Sequence, residues 1–441
     1  MRTSMNRSGL VVTLLCFAAC GGLPVGPQPP GDAGSRDAGP PDAGDRDAGE
    51  LDGGELDAGD LDAGRPDAGS EADGGVADWR FIGIPGSRCA RGAQAGIGYR
   101  PGAHDELLIY LQGGGACWNT GTCQPSLQQW GPICNYGSNA PCLWDNAGGT
   151  KPLAAFVSHT DPFPADGGGA FPSELATVAS SLLFSRRVEN PLHDATMVFV
   201  PYCTGDLHAG DAVRTYQVKA DAFSQLVARQ HHFAGARNLD AYFAWLRTQH
   251  PNVQRIWFIG VSGGGYGVSL NLGRVKAAFP EADVHLLADS APMLPSNYTA
   301  AWFNEWNIQL PQGCTDCDAG LPRTIEYTVD QHPDSRIALL AWNPDSVITP
   351  FFYAPGTTAG WAAPPYDTYR TNLAALENLY DTKSNARYFT LADQQHVMLQ
   401  GYGVVQSDGG ISAPYSSRDG GTTLRAWVDA WVSGTNWTST R

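Results

Sequence analysis

Residues Arg255-Ile256-Trp257-Phe258-Ile259-Gly260-Val261-Ser262-Gly263-Gly264 carry the reading that decides the fold. An apolar run from Arg255 to Gly260 enters a glycine-rich turn, and a helical pattern follows from Tyr266 to Phe279. The turn matches Gly-x-Ser-x-Gly, which between a strand and a helix sets a serine on a sharp bend with its hydroxyl presented outward. Glycines flank Ser262 because any side chain there would collide with the neighbouring strand or helix. A glycine-rich loop that packs a strand on a helix, or that contacts a phosphate, is the plainer alternative.

Outward from this stretch, five more runs share its character: Glu106 to Gln112, Thr196 to Tyr202, Asp283 to Ala288, Ser335 to Trp342 and Ala386 to Leu391. Short, nearly continuous apolar runs bounded by Gly, Pro, Asn or Asp predict parallel strands buried on both faces. Helical patterns lie between them. Asn238 is placed to cap a helix whose Leu239, Phe243 and Leu246 share a face, and Leu424, Trp427, Val428, Trp431 and Val432 repeat at helical spacing. This alternation predicts an α/β fold with a mostly parallel, doubly wound sheet, and chemistry at the carboxyl ends of its strands.

Those ends supply candidates. Gly113-Gly114-Gly115-Ala116-Cys117 follows the Glu106 run and resembles the oxyanion-hole loop of esterases. Rigid N–H groups of Gly263 and of Gly114 or Gly115 suit the negative charge that acyl transfer develops on a carbonyl oxygen. A serine nucleophile also needs a base and an orienting carboxylate, in the chain order Ser, acid, His. Asp345 follows the Ser335 run and His396 follows the Ala386 run. Asp289, after the Asp283 run, competes for the acid role; His332 is the rival base, although it precedes the strand of Asp345.

The chain has 441 residues, 42% of them hydrophobic, with 13 Trp, which excludes a wholly disordered protein. The net charge of -16 gives nucleic-acid binding no electrostatic support. It divides as +2 over residues 1–30, -11 over 31–75 and -7 over 76–441. Arg2 and Arg7 precede an apolar run, Leu10 to Ala19, too short to span a bilayer but fit for a secretory signal over residues 1–19. Phe17-Ala18-Ala19-Cys20 resembles a bacterial lipobox, with Phe17 in place of the usual Leu, and makes Cys20 the expected lipidation site. Without Asp at 21 or 22, the expected location is the outer membrane or cell surface; an ordinary secreted protein is the alternative.

Asp-Ala-Gly then begins at Asp32, Asp37, Asp42, Asp47, Asp57, Asp62 and Asp67. This repeat has too little apolar surface to offset chain entropy, so residues 20–77 read as an extended spacer, and 78–441 as one folded domain. Calcium binding by the spacer is an alternative that lacks a ligand-loop pattern. Beyond Cys20 there are eight cysteines, enough for four bridges outside the cytoplasm. Cys314-Thr315-Asp316-Cys317 reads as a local disulfide, since no second pair or nearby His completes a zinc site.

At these residues the chain resembles the pectin acetylesterase and Notum family of carboxylesterases. The resemblance runs from about Trp79 to the C-terminus, through Leu111 to Trp118, Tyr202-Cys203-Thr204-Gly205-Asp206-Leu207-His208, His232 to Asn238, Gly260 to Gly265 and Asp345-Ser346. It implies an α/β-hydrolase fold with disulfides around the active-site loops, a Ser262/Asp345/His396 triad, no metal or other cofactor, and a monomer. Gly263 stands where the family usually has Ala, and Val397 where plant members have Cys. Asp206 and His208 are candidate substrate contacts or loop braces, and Trp118 a candidate substrate-binding aromatic; His231 and His232 read as structural. The implied activity is hydrolysis of an ester, with acetyl groups on pectin or another acetylated polysaccharide as the expected substrate. A Notum-like or lipase-like deacylase of longer acyl esters is one alternative. Another is a non-catalytic module that binds glycans through Trp118, Trp130 and Trp144.

Overall fold

The computed structural model describes residues 79–90, 92, 94–119, 123, 181–218, 227–353, 363–405, 411–412 and 421–441. The expected signal, Cys20, the spacer, Cys134, Cys142, Trp130 and Trp144 lie outside these residues.

All six apolar runs are strands. They are β3 (Glu106–Leu111), β4 (Thr196–Val200), β7 (Arg255–Val261), β8 (Asp283–Asp289), β9 (Ile337–Trp342) and β10 (Ala386–Leu391). With β1 (Arg80–Arg88) and β2 (Gln94–Arg100) they form one sheet in the order β1-β2-β4-β3-β7-β8-β9-β10. From β4 to β10 every pairing is parallel, while β2 runs antiparallel to both β1 and β4. A separate antiparallel hairpin joins β5 (Ala212–Val218) to β6 (Val227–Phe233).

The runs are apolar throughout because both sheet faces are covered. Along β3, Leu107, Ile109 and Leu111 enter one core, while Leu108 and Tyr110 enter the other. The first core holds α1 (Gly235–Gln249) and α2 (Gly263–Ala278), through Leu239, Phe243, Leu246, Val268 and Leu272. It also takes Trp302 and Trp306 of α3 (Thr299–Trp306), α4 (Leu321–Gln331), α5 (Ile348–Tyr353) and α6 (Tyr366–Asp381). The second is closed by α7 (Leu424–Ser433), whose Trp427 and Trp431 are fully buried as its spacing predicts. No described helix is long and apolar enough to cross a membrane.

Two helix starts differ from expectation. α1 begins at Gly235, so Asn238 is inside its first turn rather than capping it. Its Nδ2 donates to Arg88 O and its Oδ1 accepts from Arg88 N, both at 2.8 Å, pinning the helix to β1. α2 begins at Gly263, three residues before the expected Tyr266. Disulfides join Cys89 to Cys203, Cys117 to Cys123 and Cys314 to Cys317. The last is the local bridge expected from spacing.

Candidate active site

β7 delivers Ser262 to the carboxyl end of the sheet at φ 50° and ψ -123°, and α2 starts at the next residue. Packing fixes the flanking glycines. A Cβ on Gly260 would lie 2.2 Å from the Gly264 carbonyl oxygen, and one on Gly264 only 2.0 Å from Leu111 O of β3. Ser262 N donates to Asp289 O at 2.8 Å, tying the bend to the end of β8.

The glycine loop after β3 lies against this bend. A Cβ on Gly113 would sit 2.9 Å from Ser262 Cβ, and one on Gly263 would sit 3.0 Å from Gly115 O and 3.5 Å from Gly114 N. Gly114 and Gly115 have φ of 151° and 78°, a region that favours glycine. Among the described residues, the amides of Gly114, Gly115 and Gly263 donate to no protein acceptor. Free N–H groups gathered at a helix N-terminus favour an anion.

Behind the loop, Gln112 is held twice. Its Oε1 accepts from Tyr202 N at 3.0 Å and its carbonyl accepts from His208 Nε2 at 2.9 Å. A carbonyl only accepts, so Nε2 carries the proton. Burial pushes His208 down to about 4, and its ring packs at a tilt against that of Tyr202, 4.6 Å between centres. Asp206 is wholly buried, accepting from Thr204 Oγ1 at 2.6 Å and from Gly235 N at 2.8 Å, and burial pushes it up to about 6. Of the two readings open for Asp206 and His208, substrate contact or loop brace, these contacts describe the brace. Trp118 is 8% exposed and packs on Trp302 and Phe351, each at 5.6 Å between ring centres, so it is not the exposed aromatic expected.

Just past β9, Asp345 is wholly buried. Its Oδ1 accepts from Val347 N and Ile348 N, each at 2.8 Å, and its Oδ2 lies 2.9 Å from His396 Nδ1. Since a carboxylate accepts, Nδ1 donates, leaving Nε2 free as a base. Burial works to lower the imidazole, but the Asp345 carboxylate and then that of Asp289 outweigh it and hold His396 above its ordinary 6.5. The rival acid is otherwise engaged: the Asp289 carboxylate accepts from Met398 N, Leu399 N and Ser290 Oγ at 2.6–3.0 Å. The rival base lies elsewhere. His332 O accepts from Asn385 Nδ2, which precedes β10 and marks the opposite, amino-terminal end of the sheet.

Ser262, Asp345 and His396 thus stand at the carboxyl ends of β7, β9 and β10, with Asp289 and Ser290 of β8 between them. Ser262 Oγ and His396 are not hydrogen-bonded to each other here, a looseness common in catalytic sites without substrate. Sequence reasoning missed Ser290, whose Oγ accepts from Val397 N at 2.9 Å. Ser262, Ser290 and Val397 share positive φ of 50°, 52° and 63°, strained backbone gathered at one site. Among the described residues, Cys117, Cys123 and His231 lie close enough to hold a metal, but the two sulfurs are joined in a disulfide and offer no thiolate.

Residues 173–300, which include the serine bend, match the family model described as Pectinacetylesterase. A curated relative, palmitoleoyl-protein carboxylesterase NOTUM of Schmidtea mediterranea, is 25% identical over 254 residues, 52% of this chain and 40% of its own. The chain thus spans under half of that relative's length. Two solved structures of the Wnt deacylase Notum from Drosophila share its fold at a TM-score of 0.50 and 17% identity, covering 82% of this chain and 98% and 95% of theirs. The chain is thus similar in sequence to pectin acetylesterases and to a Notum protein, and in fold to Notum.

Proposed function

We propose that this chain belongs to the pectin acetylesterase and Notum family and is a serine carboxylesterase with Ser262 as nucleophile. His396 Nε2 takes the proton of Ser262 Oγ as it attacks the ester carbonyl, Asp345 holds the resulting imidazolium, and the amides of Gly114, Gly115 and Gly263 receive the oxyanion. His396 then protonates the leaving alcohol, and water releases the acid from the acyl-enzyme. The observation that carries this reading is the buried Asp345–His396 pair at the same end of the sheet as the Ser262 bend.

The substrate we favour is an acetylated polysaccharide such as pectin. Trp118, three residues past Gly115, is packed against Trp302 and Phe351 rather than standing open, which favours a short acyl group. A long chain, as the Notum relative's name implies for that protein, would need these rings to part. Disulfides among the described residues support export, and we place the chain at the cell surface, held by a lipid on Cys20.

Hydrolysis of p-nitrophenyl acetate and of a longer acyl ester, with acetate release from acetylated pectin in parallel, tests the proposal. Acetate is the expected preference, and Ser262→Ala should lower turnover at least about a thousandfold with the fold retained. Preference for long chains would shift the reading to a deacylase. No turnover from folded protein would shift it to a glycan-binding module.

A further inference from the structure

Asp289 is wholly buried at the end of β8, and among the described residues no ion pair reaches its carboxylate. An unpaired buried carboxylate is costly, and burial pushes it up to about 6. Its contacts are concentrated on one place. The three amides that follow His396, those of Val397, Met398 and Leu399, all end on Ser290 Oγ or the Asp289 carboxylate, at 2.6–2.9 Å. On its other side the Asp289 carbonyl takes the amide of Ser262. Val397, β-branched and at φ 63°, occupies backbone space that such a residue enters only when its surroundings hold it there.

We propose that Asp289 is a positioning residue for the base: a second carboxylate, distinct from Asp345, that clamps the His396 loop to the serine bend and adds its negative charge to the field on the imidazole. This rests on the esterase reading. A charged acceptor holds the amides of Met398 and Leu399 more strongly than a neutral one would, and the same negative charge stabilises the imidazolium. The titratable groups facing Asp289 are His396 and, from β3, Tyr110, which burial and then the Asp289 charge hold well above its usual range; His396 in turn faces Asp345 and Asp289.

The test is Asp289→Asn in the full chain, read two ways. In the pH profile of kcat/KM for p-nitrophenyl acetate, the acid limb should move down by about one pH unit, because the imidazole loses a neighbouring negative charge. Turnover at pH 8 should fall about tenfold or more while KM changes little. Titration of the His396 ring by NMR, identified by its absence in His396→Gln, should show the same downward shift. Because it needs no substrate, it separates failure of this inference from failure of the esterase reading. A limb and a titration that superimpose on those of the wild type overturn the proposal, whatever the loss of rate. Should Asp289→Asn not fold, hydrogen exchange in the wild-type peptide spanning residues 397–399 carries the test. Corrected for intrinsic rate, opening should increase at least about tenfold from pH 8 to pH 5 as Asp289 takes up a proton; constant protection overturns the clamp.

Discussion

Two adjacent glycines separate packing from chemistry. A Cβ on Gly264 would meet the Leu111 carbonyl at 2.0 Å, main chain against main chain, with nothing flexible to yield. Gly264→Ala should therefore cost about 3 kcal/mol or more in urea unfolding and remove activity with it. At Gly263 the nearest atom is Gly115 O at 3.0 Å, a contact relieved by a few tenths of an ångström. Gly263→Ala should retain kcat within about fivefold, because the N–H is kept. His208 supplies a pH test. Its folded value is depressed to about 4 against an ordinary 6.5, so its contribution to stability is present above about 6.5 and lost as pH falls toward 4. His208→Gln keeps a donor for Gln112 and does not titrate, so its melting temperature should fall less than the wild type's between pH 7 and pH 4. An equal fall in both would mean that His208 does not report on acid stability. Ser262, Asp345 and His396 were legible because each follows an apolar run. Asp206 and His208 were left open between substrate contact and loop brace because sequence shows the residue types but not that both side chains are buried and hydrogen-bonded.

At the scale of elements, the same distinction decides what could be read. The six parallel strands are buried on both faces and so write uninterrupted apolar runs. β1 and β2 lie towards one edge of the sheet, where β1 buries only Ile84 and Ser87 and β2 carries Gly96 and Gly98, so no run announces them. The start of α1 was missed for a related reason. Its first amide, Gly235 N, is satisfied by Asp206, 29 residues earlier in the chain, while the residue that looked like a cap bonds β1 instead. Caps supplied from afar leave no local signal. The edge hairpin needs external fastening, which the Cys89–Cys203 disulfide provides across 114 residues of sequence, next to the strand end that leads into the Asp206 and His208 loop. Replacing both cysteines by Ala should lower unfolding free energy by about 4–5 kcal/mol on the loop-entropy estimate. A loss under about 1 kcal/mol would mean that hydrogen bonding between β1 and β2 and the Asn238 clamp suffice.

For the whole molecule, charge and chemistry occupy different parts of the chain. Residues 31–75 carry -11 of the net -16, yet every candidate catalytic residue lies beyond Gly113. Like charges spaced along a sequence with few large apolar side chains repel one another, as the proposed spacer requires. One deletion and one substitution test this division of labour. Removing residues 21–77 while keeping Cys20 should leave kcat/KM for a small soluble ester within about twofold, yet reduce acetate release from a bulky polymer by cells that display the protein. Replacing Cys20 by Ala should instead move the whole protein from the membrane fraction to the medium with its activity intact. If the deletion lowers activity on the small ester as well, the acidic segment takes part in the fold or the site, and the spacer reading fails.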